Sequence, residues 1–151
     1  MVYRTLNLLL CLLTLIACDR FRHRHDSKRE VITTDLAPKG IGPYSQAIKS
    51  GNEIYVAGQI GLTAAGQMVD GGIQAETKQA MENIKAILAA ANYTMNDIVQ
   101  CQVYLSDIAN YKAMNEIYLS YFTVSPPARA VVAVSKIPLN AQVEIMVVAK
   151  K

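Results

Sequence analysis

The chain has no tryptophan, two phenylalanines, two histidines, three cysteines and, beyond residue 30, a single arginine. Both histidines, His23 and His25, sit in a polar stretch near the N-terminus, so residues 31–151 contain none. A His-dependent nucleophilic triad and His-based zinc or iron sites are thereby excluded from that region. Cys11 and Cys18 are N-terminal too, which leaves Cys101 without a possible disulfide partner in the same region. Within VQCQVYL, Cys101 reads as a small core residue rather than a nucleophile. A glycine-rich phosphate loop and clustered carboxylates are also missing, so no nucleotide, metal or other cofactor is signalled.

An excess of one charge is absent where it would matter. The formal net charge is +3, but residues 31–151 hold nine Lys or Arg against nine Asp or Glu, and the surplus comes from Arg4 and from residues 19–30, with five positives against three negatives. A neutral domain argues against nucleic acid as its natural partner, because affinity for a polyphosphate rests largely on clustered Lys and Arg.

Arg4 is followed by an apolar run from Leu6 to Ala17, too short to span a bilayer and of the right length for the apolar region of a secretory signal. The run ends in LIAC, Leu15 to Cys18, which resembles the lipobox of bacterial lipoproteins and implies lipidation at Cys18. Asp19 would then favour retention at the inner membrane, facing the periplasm. If the true start lies further along, the protein stays in the cytoplasm. Residues 19–30, DRFRHRHDSKRE, are too polar to fold alone and read as a basic tether able to touch anionic lipid. The expected organisation is therefore a signal at 1–18, a tether at 19–30 and one domain at 31–151.

Within the domain, residues 31–34 and 46–50 read as short strands around the Gly- and Pro-rich loop DLAPKGIGPYS, and Glu53–Gly61 as a third. Helical spacing of Ala80, Met81, Ile84, Ile87, Leu88 and Ala91 predicts a helix over Ile73–Ala91, with Glu76 in its favoured early turns and Asn92 closing it in the left-handed conformation. A strand at Ile98–Leu105 leads to Ser106 or Asp107 as the cap of a second helix, whose apolar face is Ile108, Tyr111, Tyr118 and Phe122. Strands at Ala128–Val134 and Gln142–Lys150 follow, joined by KIPLNA. This order predicts an α+β sheet with two helices on one face. The final strands are apolar on both sides, so the uncovered face predicts burial against further copies of the chain.

Arg129 is the anomaly in this pattern. It follows Pro126 and Pro127 inside ARAVVAV, and a guanidinium in an apolar strand calls for a fixed anion, from the protein or from a ligand. Glu144, between Val143 and Ile145, is the candidate internal partner; the pair reads either as a structural ion pair or as a functional site. Asn115 lies on the apolar face of the second helix, as a satisfied core amide or a site residue. Tyr44 reads as a loop residue or an aromatic closing over a small ligand. Gly58 reads as a turn glycine or as a point of close backbone approach.

The blocks IGPYSQA (41–47), VAGQIG (56–61), ENIKAILAAAN (82–92), VYLSD (103–107), PPARAVVAV (126–134) and VEIMVVA (143–149), in this order, resemble the RidA (YjgF) family of reactive-intermediate imine deaminases. The resemblance implies a chorismate-mutase-like α+β fold, a homotrimer whose sheets form a barrel, and ligand clefts between subunits. It also implies hydrolysis of 2-imino acids, 2-aminoacrylate/2-iminopropanoate and 2-iminobutanoate, to 2-keto acids and ammonia. By the same resemblance Arg129 holds the substrate carboxylate, Glu144 lies near the imine and water, and Tyr44, Gly58 and Asn115 line the cleft. Ala57 stands where many deaminating members have serine, and Val131 where some have cysteine, departures that bear on substrate preference. A non-catalytic trimer binding small carboxylates is the alternative, and an RNA-acting translation inhibitor a weaker one.

Overall fold

The computed structural model describes residues 28–151. The expected signal, Cys18 as the expected site of lipidation and most of the expected tether lie outside these residues. Strands β1 (Arg29–Ile32), β2 (Ala47–Ser50) and β3 (Glu53–Gln59) lead into helix α1 (Gly72–Ala90). Strand β4 (Ile98–Leu105), helix α2 (Tyr111–Leu119), β5 (Ala128–Ala133) and β6 (Val143–Lys150) follow. The six strands form one sheet in the order β1-β2-β3-β6-β4-β5. Only β4 and β5 run parallel, as the helical crossover through α2 between them demands. β1 begins at Arg29, with Arg29 and Glu30 paired to Ser50 and Lys49, so the sheet includes the last two residues of the span read as tether.

Strand alternation decides what each face does. Val143, Ile145, Val147 and Ala149 of β6 are at most 1% exposed and join Cys101, Val103 and Leu105 of β4 beneath the helices. α1 contributes Ala80, Met81, Ile84, Ile87 and Leu88, all fully buried, and burial of each large side chain stabilises the fold by about 1.5–3 kcal/mol relative to exposure. Glu144, Met146 and Val148 point to the other face, which no helix covers. There Val31, Tyr55 and Val132 are about half exposed.

α1 matches its predicted span within one residue and ends, as expected, at Asn92 with φ 63°. Glu76 departs from expectation: it lies beyond the first helical turn and is 5% exposed. Its carboxylate accepts from Gln142 N (2.7 Å) and Gln142 Nε2 (3.1 Å), tying α1 to the entry of β6. Asp107 does cap the next turn, accepting from Ala109 N at 2.9 Å, but Ile108–Asn110 is a short 3-10 turn rather than the start of α2. That turn shifts the helical phase, leaving Ile108 56% and Tyr111 43% exposed while Met114 takes the fully buried position. No helix among the described residues is long and apolar enough to cross a membrane.

Candidate functional site

Between β1 and β2 the chain loops out so that residues 34–46 lie over the end of β3 and the start of β6. Gln46, 5% exposed, holds this loop. Its Oε1 accepts from Thr34 N (2.7 Å), and its Nε2 donates to the carbonyls of Thr34 (3.1 Å), Ala37 (3.2 Å) and Pro38 (2.9 Å). Ahead of it, the Tyr44 ring packs against Gly40 and Gly42, where an added Cβ would lie 3.0–3.4 Å from Tyr44 atoms, and Tyr44 itself remains half exposed.

A cavity of about 240 Å³ opens under this loop, and Tyr44, Gly58 and Glu144 all line it. The register between β3 and β6 slips between Val56 and Gln59, a bulge that brings Gly58 against Glu144. Gly58 is not a turn glycine: a Cβ there would overlap the Glu144 carboxylate oxygen and sit 2.8 Å from its Cδ. Gln59 braces the bulge, its Nε2 donating to the carbonyls of Ala57 (3.0 Å) and Gly58 (3.2 Å). Burial raises the pKa of Glu144 above the usual carboxylate value, and no charge among the described residues offsets the desolvation. The remaining wall includes the apolar Ile41, Ile60, Leu62 and Pro138. Such a carboxylate can hold and exchange a proton.

Arg129 is not in this cavity. In register it pairs with Cys101, whose partner on β6 is Val147, so its side chain belongs to the helix-covered face; Glu144 pairs with Tyr104 on the opposite face. An internal Arg129–Glu144 ion pair is therefore ruled out within one chain. Instead the guanidinium lies over the ring of Tyr118, 4.4 Å from its centroid, and 6.0 Å from that of Tyr111. Its Nη1 is buried without a hydrogen-bond partner. A buried guanidinium donor left unmatched is costly, and a charge-assisted bond to a carboxylate is the usual way to satisfy it. Asn115 falls between Tyr111 and Tyr118 on the same stripe of α2 and is half-buried.

The expected site residues thus form two groups. Tyr44, Gly58 and Glu144 share a cavity under the first loop, while Arg129 and Asn115 belong to the β5 and α2 edge. Reading the sequence missed Gln46 and Gln59, which shape the cavity from behind, and missed Tyr118 as the seat of the arginine. The signal for Gln59 was available, since a glycine next to a polar residue inside a strand pattern marks a bulge. Among the described residues no cluster of three or more His, Cys, Asp or Glu could hold a metal.

The family described as Endoribonuclease L-PSP matches residues 34–151. A RutC family protein of Pyrococcus horikoshii is 50% identical over 124 residues, 82% of this chain and 98% of that protein. The 2-iminobutanoate/2-iminopropanoate deaminase of Mus musculus is 45% identical, over 80% of this chain and 90% of its own. Among solved structures, E. coli TdcF with bound serine superposes with a TM-score of 0.78 at 30% identity, covering 81% of this chain and 98% of that one.

Proposed function

The chain belongs to the RidA, or Endoribonuclease L-PSP, family, and from that premise we propose that it hydrolyses small 2-imino acids to 2-keto acids and ammonia. The observation that carries this reading is the pairing of an unpartnered carboxylate in a small cavity with an unpartnered, buried arginine donor elsewhere on the same chain. A 2-imino acid presents the two complementary groups, a carboxylate for the arginine and an electrophilic carbon beside a basic nitrogen for the glutamate. Named relatives support it: deaminases acting on 2-iminobutanoate and 2-iminopropanoate, and a structural neighbour binding serine, itself a small α-carboxylate.

In this reading Arg129 grips the substrate carboxylate through two parallel N–H donors. The protonated imine is already electrophilic, so orientation, a placed water and proton movement suffice. Glu144 takes a proton from the water as its oxygen attacks the imine carbon. The same carboxyl then protonates the nitrogen of the tetrahedral adduct; as the C–N bond breaks and the C=O forms, the regenerated carboxylate takes the hydroxyl proton, which departs with ammonia as ammonium while the 2-keto acid leaves. Gly58 keeps the space beside the carboxylate open, and Tyr44 closes the loop side.

Because Arg129 and Glu144 lie on opposite faces of one sheet, the working site requires a second copy, with Arg129 and Asn115 from one subunit facing Tyr44, Gly58 and Glu144 of the next. A homotrimer with the uncovered sheet faces turned inward supplies this arrangement and buries Val31, Tyr55 and Val132. Export and lipidation at Cys18 complete the proposal, testable by radiolabelled palmitate incorporation and its loss in Cys18→Ala.

The direct test is steady-state release of ammonia and keto acid from imines generated in situ. Binding of 2-oxobutanoate without turnover would instead support a carboxylate-binding trimer. RNA cleavage, named in the family description, finds little support in a domain with nine positive and nine negative side chains and no histidine. Salt-dependent RNA binding would revive it.

A further inference from the structure

We propose that Tyr118 is the positioning residue of Arg129, a stacking seat that fixes the guanidinium plane while leaving its edge free for a ligand carboxylate. The proposal rests on the arginine's role in the reading above. A guanidinium carries its N–H donors in its plane, and a protein carboxylate holding it there would consume the donors a ligand needs. An aromatic ring takes only the face. Tyr118 is 4% exposed, its ring centroid is 4.4 Å from Arg129 Cζ, and it packs on Phe122 with centroids 4.8 Å apart and planes tilted by 45°, so the seat is itself held in place. Tyr111, at 6.0 Å and 43% exposed, is the looser second ring.

The hydroxyl of Tyr118 has a different standing from the ring. It lies close to the Cys101 thiol and the guanidinium, yet it is buried without a hydrogen bond of proper geometry to either. Cys101, fully buried and directly opposite Arg129 in register, closes the floor beneath the pair. The seat is therefore the ring's electron density, and the hydroxyl is dispensable. Arg129 Nη1 is buried beside this seat without a hydrogen-bond partner, while the residue as a whole is only partly buried.

The test uses the full chain and changes electron density without changing packing. Tyr118→Phe should bind 2-oxobutanoate within about twofold of the parent and fold no less stably, since only a buried hydroxyl without a well-formed hydrogen bond is lost. Stepwise fluorination of that phenylalanine should weaken binding progressively, by about fivefold to tenfold at full substitution, as the ring's negative face is withdrawn. KM for the imine should rise in parallel while kcat changes little. In Tyr118→Leu, if it folds, the Arg129 Nε–Hε group should become mobile by ¹⁵N relaxation in the ligand-free protein. This readout needs no substrate, so it judges the seat even if the chain proves not to hydrolyse imines. A flat fluorination series, or an Arg129 side chain equally ordered when the ring is gone or fully fluorinated, would overturn the proposal.

Discussion

The two halves of the candidate site hold their charged residues in opposite ways. Glu144 stands without an ion pair among the described residues, in a cavity between a loop held by Gln46 and a bulge braced by Gln59, while Lys39 on the cavity wall pairs with Asp35. Arg129 packs against aromatic rings on the other face of the sheet, with no ion pair among the described residues and one donor unmatched. Had the chain paired the two internally, each would have lost the property the chemistry needs: the glutamate its raised pKa, the arginine its free donors. Sheet parity separates the two within one copy, which is what the proposed shared site requires.

The largest effect should come from the carboxylate half. Glu144→Gln is expected to lower kcat by about a thousandfold, within the usual range for a lost general acid or base, while 2-oxobutanoate binding changes by less than about threefold. Calorimetry beside steady-state kinetics separates the two; equal losses would make Glu144 a binding residue instead. The raised pKa also has a stability consequence of definite sign. Folded Glu144 binds its proton more tightly than the unfolded chain does, so ionisation weakens the fold as pH rises above 4.5. Glu144→Gln should therefore be more stable than the parent at pH 7 and lose that advantage as pH falls below about 4, readable by thermal unfolding across pH.

In the arginine half, Arg129→Lys should cost about a hundredfold in kcat/KM, because a point charge cannot reproduce a bidentate grip, and most of the loss should appear in KM. Near-normal turnover in the folded variant would break the comparison on that side. Gly58→Ala probes the contact between bulge and carboxylate and should lower kcat by about tenfold through displacement of Glu144, with an unchanged KM for the carboxylate end. Gln46→Ala should act mainly on stability. It strips partners from three carbonyls and one amide of the 34–46 loop, and about 2–3 kcal/mol should disappear from chemical denaturation with only a modest change in kcat.

How much of this could be read from residues alone depended on range. Periodicity located both helices and all six strands, and the single arginine after residue 30 was conspicuous as a charge in an apolar run. Its relation to Glu144 was not readable, because the face each occupies depends on the pairing of β5 and β6 with β4, and a shift of one residue in either register would have reversed it. The phase of α2 was misread for a local reason: the 3-10 turn after Asp107 winds more tightly than an α-helix, so Ile108 left the stripe and Met114 entered it. Glu76 looked like a response to the helix dipole, and its true partner, Gln142, is 66 residues away. The rings that seat Arg129 were visible only as apolar residues of a helix face. Nothing local distinguishes a tyrosine that packs from one that also presents its π-face to a cation.

The central claim is that one copy supplies the arginine and another the glutamate, and mixing two inactive variants tests it most directly. Arg129→Lys and Glu144→Gln, each expected to fall about a hundredfold or more in kcat/KM alone, would be co-expressed or unfolded and refolded together in equal amounts and assayed at substrate concentrations well below KM. If each site joins Arg129 of one subunit to Glu144 of its neighbour, random assembly leaves both residues intact in about a quarter of the sites, and the mixture should recover about that fraction of the parent rate. A mixture that exchanges subunits yet stays as inactive as its components would contradict the account.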